Sequence, residues 1–419
     1  MDDPVGSFYL IDGVVLLVLA TTVPVLVKAY LDPQRFPKPW SSRVMMGGLA
    51  WLLYAPVSHI ISEYVLGVPL SDAPIHAWLS YDLGLRIREG EWGALYRHFA
   101  QGNPAYQCLY APFYALGCSM ATPTLINAWL GFFGGLIMVR GLSTVYPFTR
   151  PTKAYMLFVV FCPSVIFWAT NNLKEGPVFW AICCIMSITF GKTAWYRFGT
   201  LARLGIAALL GGALRPHVLV GWIGVTVVIA AFRRGQRVVA LLLLITAPLA
   251  FFFARENIRS EELSIDAALK TAQKHFGVLH AQREQGSRIE YEEHPPIPIV
   301  SGFIAAFFMP FPWQITSLRL FMSALETWGI TFLLVRGWLK LLPVQRRALL
   351  ALPCTQVALL ACVWMCGILS FMPNQGLVVR QRVQMIPAIL TLAVLPGVLY
   401  HHARGIRRIV ALHPPSPAP

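Results

Sequence analysis

The chain has 419 residues, with 34 Lys and Arg against 19 Asp and Glu, so it carries a net charge of +15. Hydrophobic residues make up 56% and charged residues 13%, and the mean hydropathy is +0.60. A soluble domain spends about a quarter of its residues on charge and a disordered chain has few apolar groups, so both are excluded and a multi-span membrane protein is expected.

The first apolar stretch, Phe8 to Tyr30, follows an acidic Met1-Asp2-Asp3-Pro4 with no positive leader, so it is expected to stay as a span. Further apolar segments lie near 44–67, 105–121, 123–139, 154–170, 176–191, 200–214, 217–232, 238–254, 298–312, 317–335, 349–371 and 384–400. Clustered positive charge marks six connections: Lys28 to Arg43; Arg140, Arg150 and Lys153; Lys192, Arg197 and Arg203; Arg233, Arg234 and Arg237; Arg336, Lys340, Arg346 and Arg347; Arg404, Arg407 and Arg408. The positive-inside rule makes these cytoplasmic and puts 68–104, the 171–176 turn, the 215–217 turn, 255–297 and 372–383 outside. Alternation then requires one of 105–121 and 123–139, and one of 298–312 and 317–335, to be re-entrant or interfacial. The expected fold is all-α: a single polytopic domain over 1–419 with about 11 to 13 transmembrane or re-entrant helices. The N-terminus is expected in the periplasm and the C-terminus in the cytoplasm of a bacterial inner membrane.

Two outer segments exceed a turn. Segment 68–104 places Ile75, Leu79, Leu83 and Ile87 at helical spacing, with Arg86, Arg88, Glu89 and Glu91 after them, which predicts an amphipathic helix pair on the membrane surface. Segment 255–297 carries six Lys and Arg against eight Asp and Glu and is long enough to be a lid or substrate loop. The chain closes with a short Pro-rich cytoplasmic tail, 409–419. Its eight cysteines form no CxxC pair and lie in apolar surroundings, as packing residues do. The scattered basic groups form no dense patch, so no nucleic-acid partner is expected.

Ionisable groups at span ends are costly and mark candidate sites. Nearly all of them fall on the outer side: Asp72, His76, Asp82, Lys174, Glu175, Arg215, His217, Arg380 and Arg382, with the amides Asn171, Asn172, Asn374 and Gln375. Asp72 follows an apolar span and opens the amphipathic helix, as a helix cap or as a general base for a hydroxyl. His76 is one turn further on, and Asp82 is either a helix-surface carboxylate or a second acid. Lys174 and Glu175 either pair with each other or hold a polar ligand. Arg215, Arg380 and Arg382 either bind phosphate through their donor forks or snorkel to lipid. One base and several cations on one interface describe a site for a lipid-linked phosphate.

The order of these motifs resembles the C-type superfamily of membrane glycosyltransferases, in its bacterial branch related to protein mannosyltransferases and aminoarabinose transferases, including members associated with exopolysaccharide assembly. The residues that carry the resemblance are Ser71-Asp72 with His76, Asn103-Pro104-Ala105-Tyr106, Pro163-Ser164 leading to Leu173-Lys174-Glu175, Leu214-Arg215-Pro216, Pro310-Phe311-Pro312-Trp313, and Gln375-Gly376 with Arg380, Arg382 and Pro387. The resemblance implies a sugar donor on a polyprenyl phosphate and a glycan or lipid-linked glycan acceptor at the periplasmic face, with Asp72 as base. It also implies Arg215, Arg380, Arg382 and Lys174 on the phosphate, with inversion at the sugar. Many such enzymes carry adjacent acids in the first outer loop. Here Ala73-Pro74 follows Asp72, which argues against a divalent metal there, and no motif calls for another cofactor. An O-antigen-type polymerase and a lipid-linked sugar flippase are the alternative functions.

Overall fold

The computed structural model describes residues 8–31, 38–58, 61, 72–100, 102–145, 156–190, 198–232, 298–370 and 375–412. Segments 62–71, 238–254 and 255–297, residue Asn374 and the end of the tail, 413–419, lie outside the described residues. Among the described residues the regular structure is helical throughout: α1 (Leu10–Tyr30), α2 (Lys38–Tyr54), α3 (Ala73–Arg88), α4 (Gly93–His98), α5 (Asn103–Ala115), α6 (Ala121–Val145), α7 (Pro163–Ala169), α8 (Glu175–Ser187), α9 (Phe198–Leu214) and α10 (Pro216–Ala231). They continue with α11 (Pro298–Phe307), α12 (Leu318–Leu339), α13 (Pro343–Leu350), α14 (Pro353–Leu369), α15 (Gln375–Arg382) and α16 (Ile386–Leu412). Many begin with proline in the first turn, where the missing N–H costs nothing.

Two of these helices, α1 and α6, are long and apolar enough to cross a membrane, and the number is up to four if each of the bent pairs α13–α14 and α15–α16 is one broken span rather than a re-entrant loop. They differ in environment. α6 is buried along most of its length, whereas α1 leaves Leu10, Val14, Leu17, Val18 and Val25 exposed, the outer surface of a lipid-facing helix. α8 is apolar all round and buried against α6 and α9, which makes it a core helix.

α5, bounded by Gly102 and Gly117, has 13 residues, or ~20 Å at 1.5 Å per residue, less than the ~30 Å of a hydrocarbon core. It is the short member of the 105–121 and 123–139 pair, and it packs on α3. The expected helix pair in 71–100 is present as α3 and α4, but its buried face differs from the predicted stripe. Leu83 and Ile87 are buried, while Ile75 and Leu79 are exposed. The inward face is instead Ala73, His76, Ala77, Ser80, Leu83, Gly84 and Ile87, small or polar side chains that let α5 come close. Arg88 secures this contact by donating from Nε to the Ala115 carbonyl (2.6 Å) and from Nη2 to that of Tyr114 (3.2 Å) at the end of α5.

Basic residues from two of the six positive connections meet the last turn of α1 at one end of the bundle. Arg140 lies 5.2 Å above the Tyr30 ring and donates to the Ala29 carbonyl, and Arg203 donates to the Tyr30 hydroxyl (3.0 Å). At the opposite end of α1, the buried Asp12 accepts from the backbone N–H of Tyr9 (2.8 Å) and Ser119 (3.1 Å) and from Thr122 Oγ1 (2.6 Å). Asp12 thus ties α1 to the start of α6, and the sequence reading passed over it. Hydrogen bonds to a charged group are worth about 1.5–3 kcal/mol. Asp12→Leu is therefore expected to lower the melting temperature of the detergent-solubilised chain clearly, while Asp12→Asn, which keeps an acceptor, lowers it less. Equal melting of both variants and the parent would show that this tether contributes nothing.

Candidate functional site

Four segments far apart in sequence converge at the end of the bundle away from the Arg140 and Arg203 cluster. Asn127 marks the site on α6, and 13 residues of helix, or ~20 Å, separate it from Arg140. Glu175, the first residue of α8, is fully buried and central. Its Oε1 accepts from Arg380 Nε (2.6 Å) and Arg215 Nη2 (2.8 Å), and its Oε2 from Arg380 Nη2 (3.4 Å). Arg380 also donates through Nη1 to Asp72 Oδ2 (2.6 Å) across 308 positions of sequence. One guanidinium therefore bridges both carboxylates, a geometry that suits the planar donor fork of arginine.

Each segment reaches the site for a local reason. Arg215 is the break between α9 and α10, where Pro216 starts the next helix. Arg380 is on α15, the short helix that meets α16 at a sharp bend and opens at Gln375. The Glu175 carboxylate stands in the first turn of α8, where helix N-terminal N–H groups favour negative charge. Gly176 follows because α6 comes so close: a Cβ there would lie 2.7 Å from the Asn127 carbonyl oxygen.

A buried amide network fixes the turn that carries Lys174 and Glu175. Asn127 Nδ2 is within 2.9 Å of the carbonyls of Asn171 and Leu173 and of the Tyr106 hydroxyl, and its Oδ1 accepts from Tyr110 (2.6 Å). The Tyr106 hydroxyl donates to Asn172 Oδ1 (2.8 Å), and Asn172 Nδ2 donates to the Ala73 carbonyl (3.0 Å), one residue past Asp72. The same chain of bonds thus sets the relative positions of Asp72 and Lys174. Asn127 was missing from the candidates, although an amide in the apolar run of α6 was a signal for it.

The cations differ in what they have left to offer. Arg215 and Arg380 are committed to the carboxylates, although Arg215 Nε is buried with no partner among the described residues. Lys174 is 8% exposed, and its ammonium has no hydrogen bond or ion pair to any described residue. The alternative of a Lys174–Glu175 pair is not what forms. A Cβ on Gly102, which holds a left-handed φ of 87° ahead of α5, would sit 3.6 Å from Lys174 Nζ. Lys174 lies in the connection between α7 and α8, where burial, with Arg215 and Arg380 nearby, pushes its pKa down to about 6. Two carboxylates balance two guanidiniums, so an anion arriving here meets Lys174 as its counter-charge.

The remaining candidates separate clearly. Asp72 occupies the cap position of α3 but makes no side-chain cap bond, since its carboxylate is turned to Arg380. His76 is buried beside the cluster, with its ring 5.4 Å from that of Tyr106. Asp82 pairs with Arg86 on the exposed side of α3, so its surface role is the one realised. His217 is exposed at the start of α10 and gives its carbonyl to Trp364 Nε1. Arg382 is in a different place from Arg380: it donates to the Met309 carbonyl (2.9 Å) and Ser323 Oγ (2.7 Å). Near it Glu326, also absent from the candidates, accepts from the Ser164 N–H (2.7 Å) at the start of α7. Arg382 and Glu326 therefore hold α12, α15 and α7 together, and both of these donor contacts of Arg382 go to this packing rather than to the Glu175 cluster. No set of three or more metal-type ligands occurs among the described residues.

No family model, no curated protein and no solved structure matches this chain.

Proposed function

We propose that the chain is a polytopic inner-membrane glycosyltransferase of about 11 to 13 membrane segments, moving a sugar from a polyprenyl-phosphate donor to a cell-surface glycan or glycolipid acceptor at the periplasmic face. The carrying observation is the meeting of Asp72, Glu175, Arg215 and Arg380 beside Lys174, whose ammonium makes no ion pair with any described residue. The motif order in the sequence supports the same reading, and the site's position opposite the Arg140 and Arg203 end agrees with an outer face under the positive-inside rule.

In this mechanism the acceptor hydroxyl oxygen attacks the anomeric carbon and its proton passes to the Asp72 carboxylate. The bond from that carbon to the phosphate oxygen breaks, its electron pair leaves with the phosphate, and the sugar inverts. Charge grows on the leaving oxygen, and Lys174 with Arg215 Nε are the donors placed to meet it. Arg380 orients Asp72 through its Nη1 hydrogen bond to Oδ2. Because Arg380 is already shared by two carboxylates, its own role is to position the base.

The decisive experiment uses membranes containing the chain, supplied with polyprenyl-phosphate sugar and periplasmic glycan. A transferase consumes the donor and forms a glycosidic bond; a flippase moves the donor across sealed vesicles and leaves that bond unformed, which would overturn the proposal. Binding carries a second signature. A phosphodiester donor keeps its charge between pH 6 and 8, whereas Lys174, with its pKa near 6 in the empty site, must take up a proton to bind it. Affinity is thus expected to rise as pH falls from about 8 to about 6, by up to about tenfold per unit, and to level off below. Lys174→Met should bind weakly with no such slope, measured by titration of a short-chain prenyl-phosphate glucose. A slope retained in that variant would exclude Lys174 as the anion partner.

A further inference from the structure

The imidazole of His76 is 2% exposed; its Nδ1 lies 3.2 Å from Gln107 Nε2, and its Nε2 is buried with no partner among the described residues. On the far side of the same amide, Gln107 Oε1 lies 2.6 Å from His98 Nε2. At that separation an N–H donating to a carbonyl oxygen fits, and a ring nitrogen facing an NH2 group does not. His98 therefore donates to Oε1, and the amide must present its NH2 to His76. An NH2 group only donates, so Nδ1 of His76 offers its lone pair and the ring proton is on Nε2.

We propose that Gln107, oriented by His98, locks His76 as the neutral Nε2–H tautomer, so that His76 acts as a hydrogen-bond donor to an oxygen of the bound donor sugar phosphate rather than as a base. The ligand half of this inference rests on the transferase reading. The groups around the ring agree with it: Arg380 from α15, Asp72 from the start of α3, Lys174 from the α7–α8 connection and Glu175 from the start of α8. Burial first, then Arg380, lowers its pKa to about 4, against the opposing pull of Asp72. A neutral donor beside Asp72 separates the two roles: the carboxylate accepts the proton, and the imidazole steadies an oxygen. Gln107 and His98 act through His76 and are positioning residues.

The test is nitrogen NMR on the full chain in lipid nanodiscs with 15N-labelled histidine, the His76 signals being identified by their loss in His76→Gln. An unprotonated Nδ1 and a protonated Nε2 are expected. Gln107→Glu offers Nδ1 only acceptors, so it should transfer the proton to Nδ1 and reverse the pattern. A protonated Nδ1 in the parent, or a Gln107→Glu spectrum identical to the parent's, overturns the lock. Adding short-chain prenyl-phosphate glucose should then move the Nε2–H proton signal downfield. If the diester binds and that signal stays put, the donor role fails. If the diester does not bind at all, the transferase reading and the donor role fail together, while the tautomer assignment stands on its own spectrum.

Discussion

Asp72→Asn is expected to cut turnover by about 10²- to 10⁴-fold, the range for loss of a positioned general base, while donor binding and melting temperature stay close to those of the parent. The geometry separates these effects. Asn keeps an oxygen that can accept from Arg380 Nη1, and Glu175 still holds the same guanidinium through Nε at 2.6 Å, so the cluster survives. What is lost is the negative charge that receives the hydroxyl proton. Product formation in membranes, compared with donor affinity and melting of the purified variant, reads this split. Undiminished turnover would remove Asp72 from the chemistry and leave it as an ion-pair partner of Arg380.

Loss of the Glu175 charge should act on the fold before it acts on the chemistry. The carboxylate is fully buried and holds Arg215 and Arg380, with Lys174 next to it in sequence. Breaking a buried pair by removing one partner typically costs about 3–5 kcal/mol, because the charge left behind stays out of water. Here Arg215 is left without a carboxylate and Arg380 keeps only Asp72. Glu175→Gln should therefore melt well below the parent in detergent and lose its activity. Asp82→Asn is the control: its pair with Arg86 is more than half exposed on the carboxylate side and is worth about 0–1 kcal/mol. If the two variants melt alike, the buried network does not hold the site together.

The two predictions rest on residues that differ in how readable they were. Asp72, Lys174, Glu175, Arg215 and Arg380 all stood out as charges at the ends of apolar stretches, because lipid makes such groups expensive wherever they occur. The same logic promoted Arg382, two positions after Arg380. On α15 that spacing turns the two side chains to different sides, one to Glu175 and Asp72 and the other to Met309 and Ser323. Asp82 and Asp72 were likewise read by the same rule, yet one faces outward to Arg86 and the other inward to Arg380. Gln107, Asn127 and Glu326 were missed: each is a single polar residue inside a helix, and nothing in its neighbours announces which partner it will meet.

The amino-acid sequence by itself determined that this chain is helical, apolar enough to enter a membrane, and supplied with charges at the ends of its apolar stretches; these follow from composition and local spacing, which need no knowledge of neighbours. The tertiary structure alone decided which charges cancel. Glu175 takes Arg215 and Arg380, Asp72 shares Arg380, and Lys174 is left over. Coulomb attraction is strong only over a few ångströms in a buried site, so its outcome depends on how helices hundreds of residues apart are packed together.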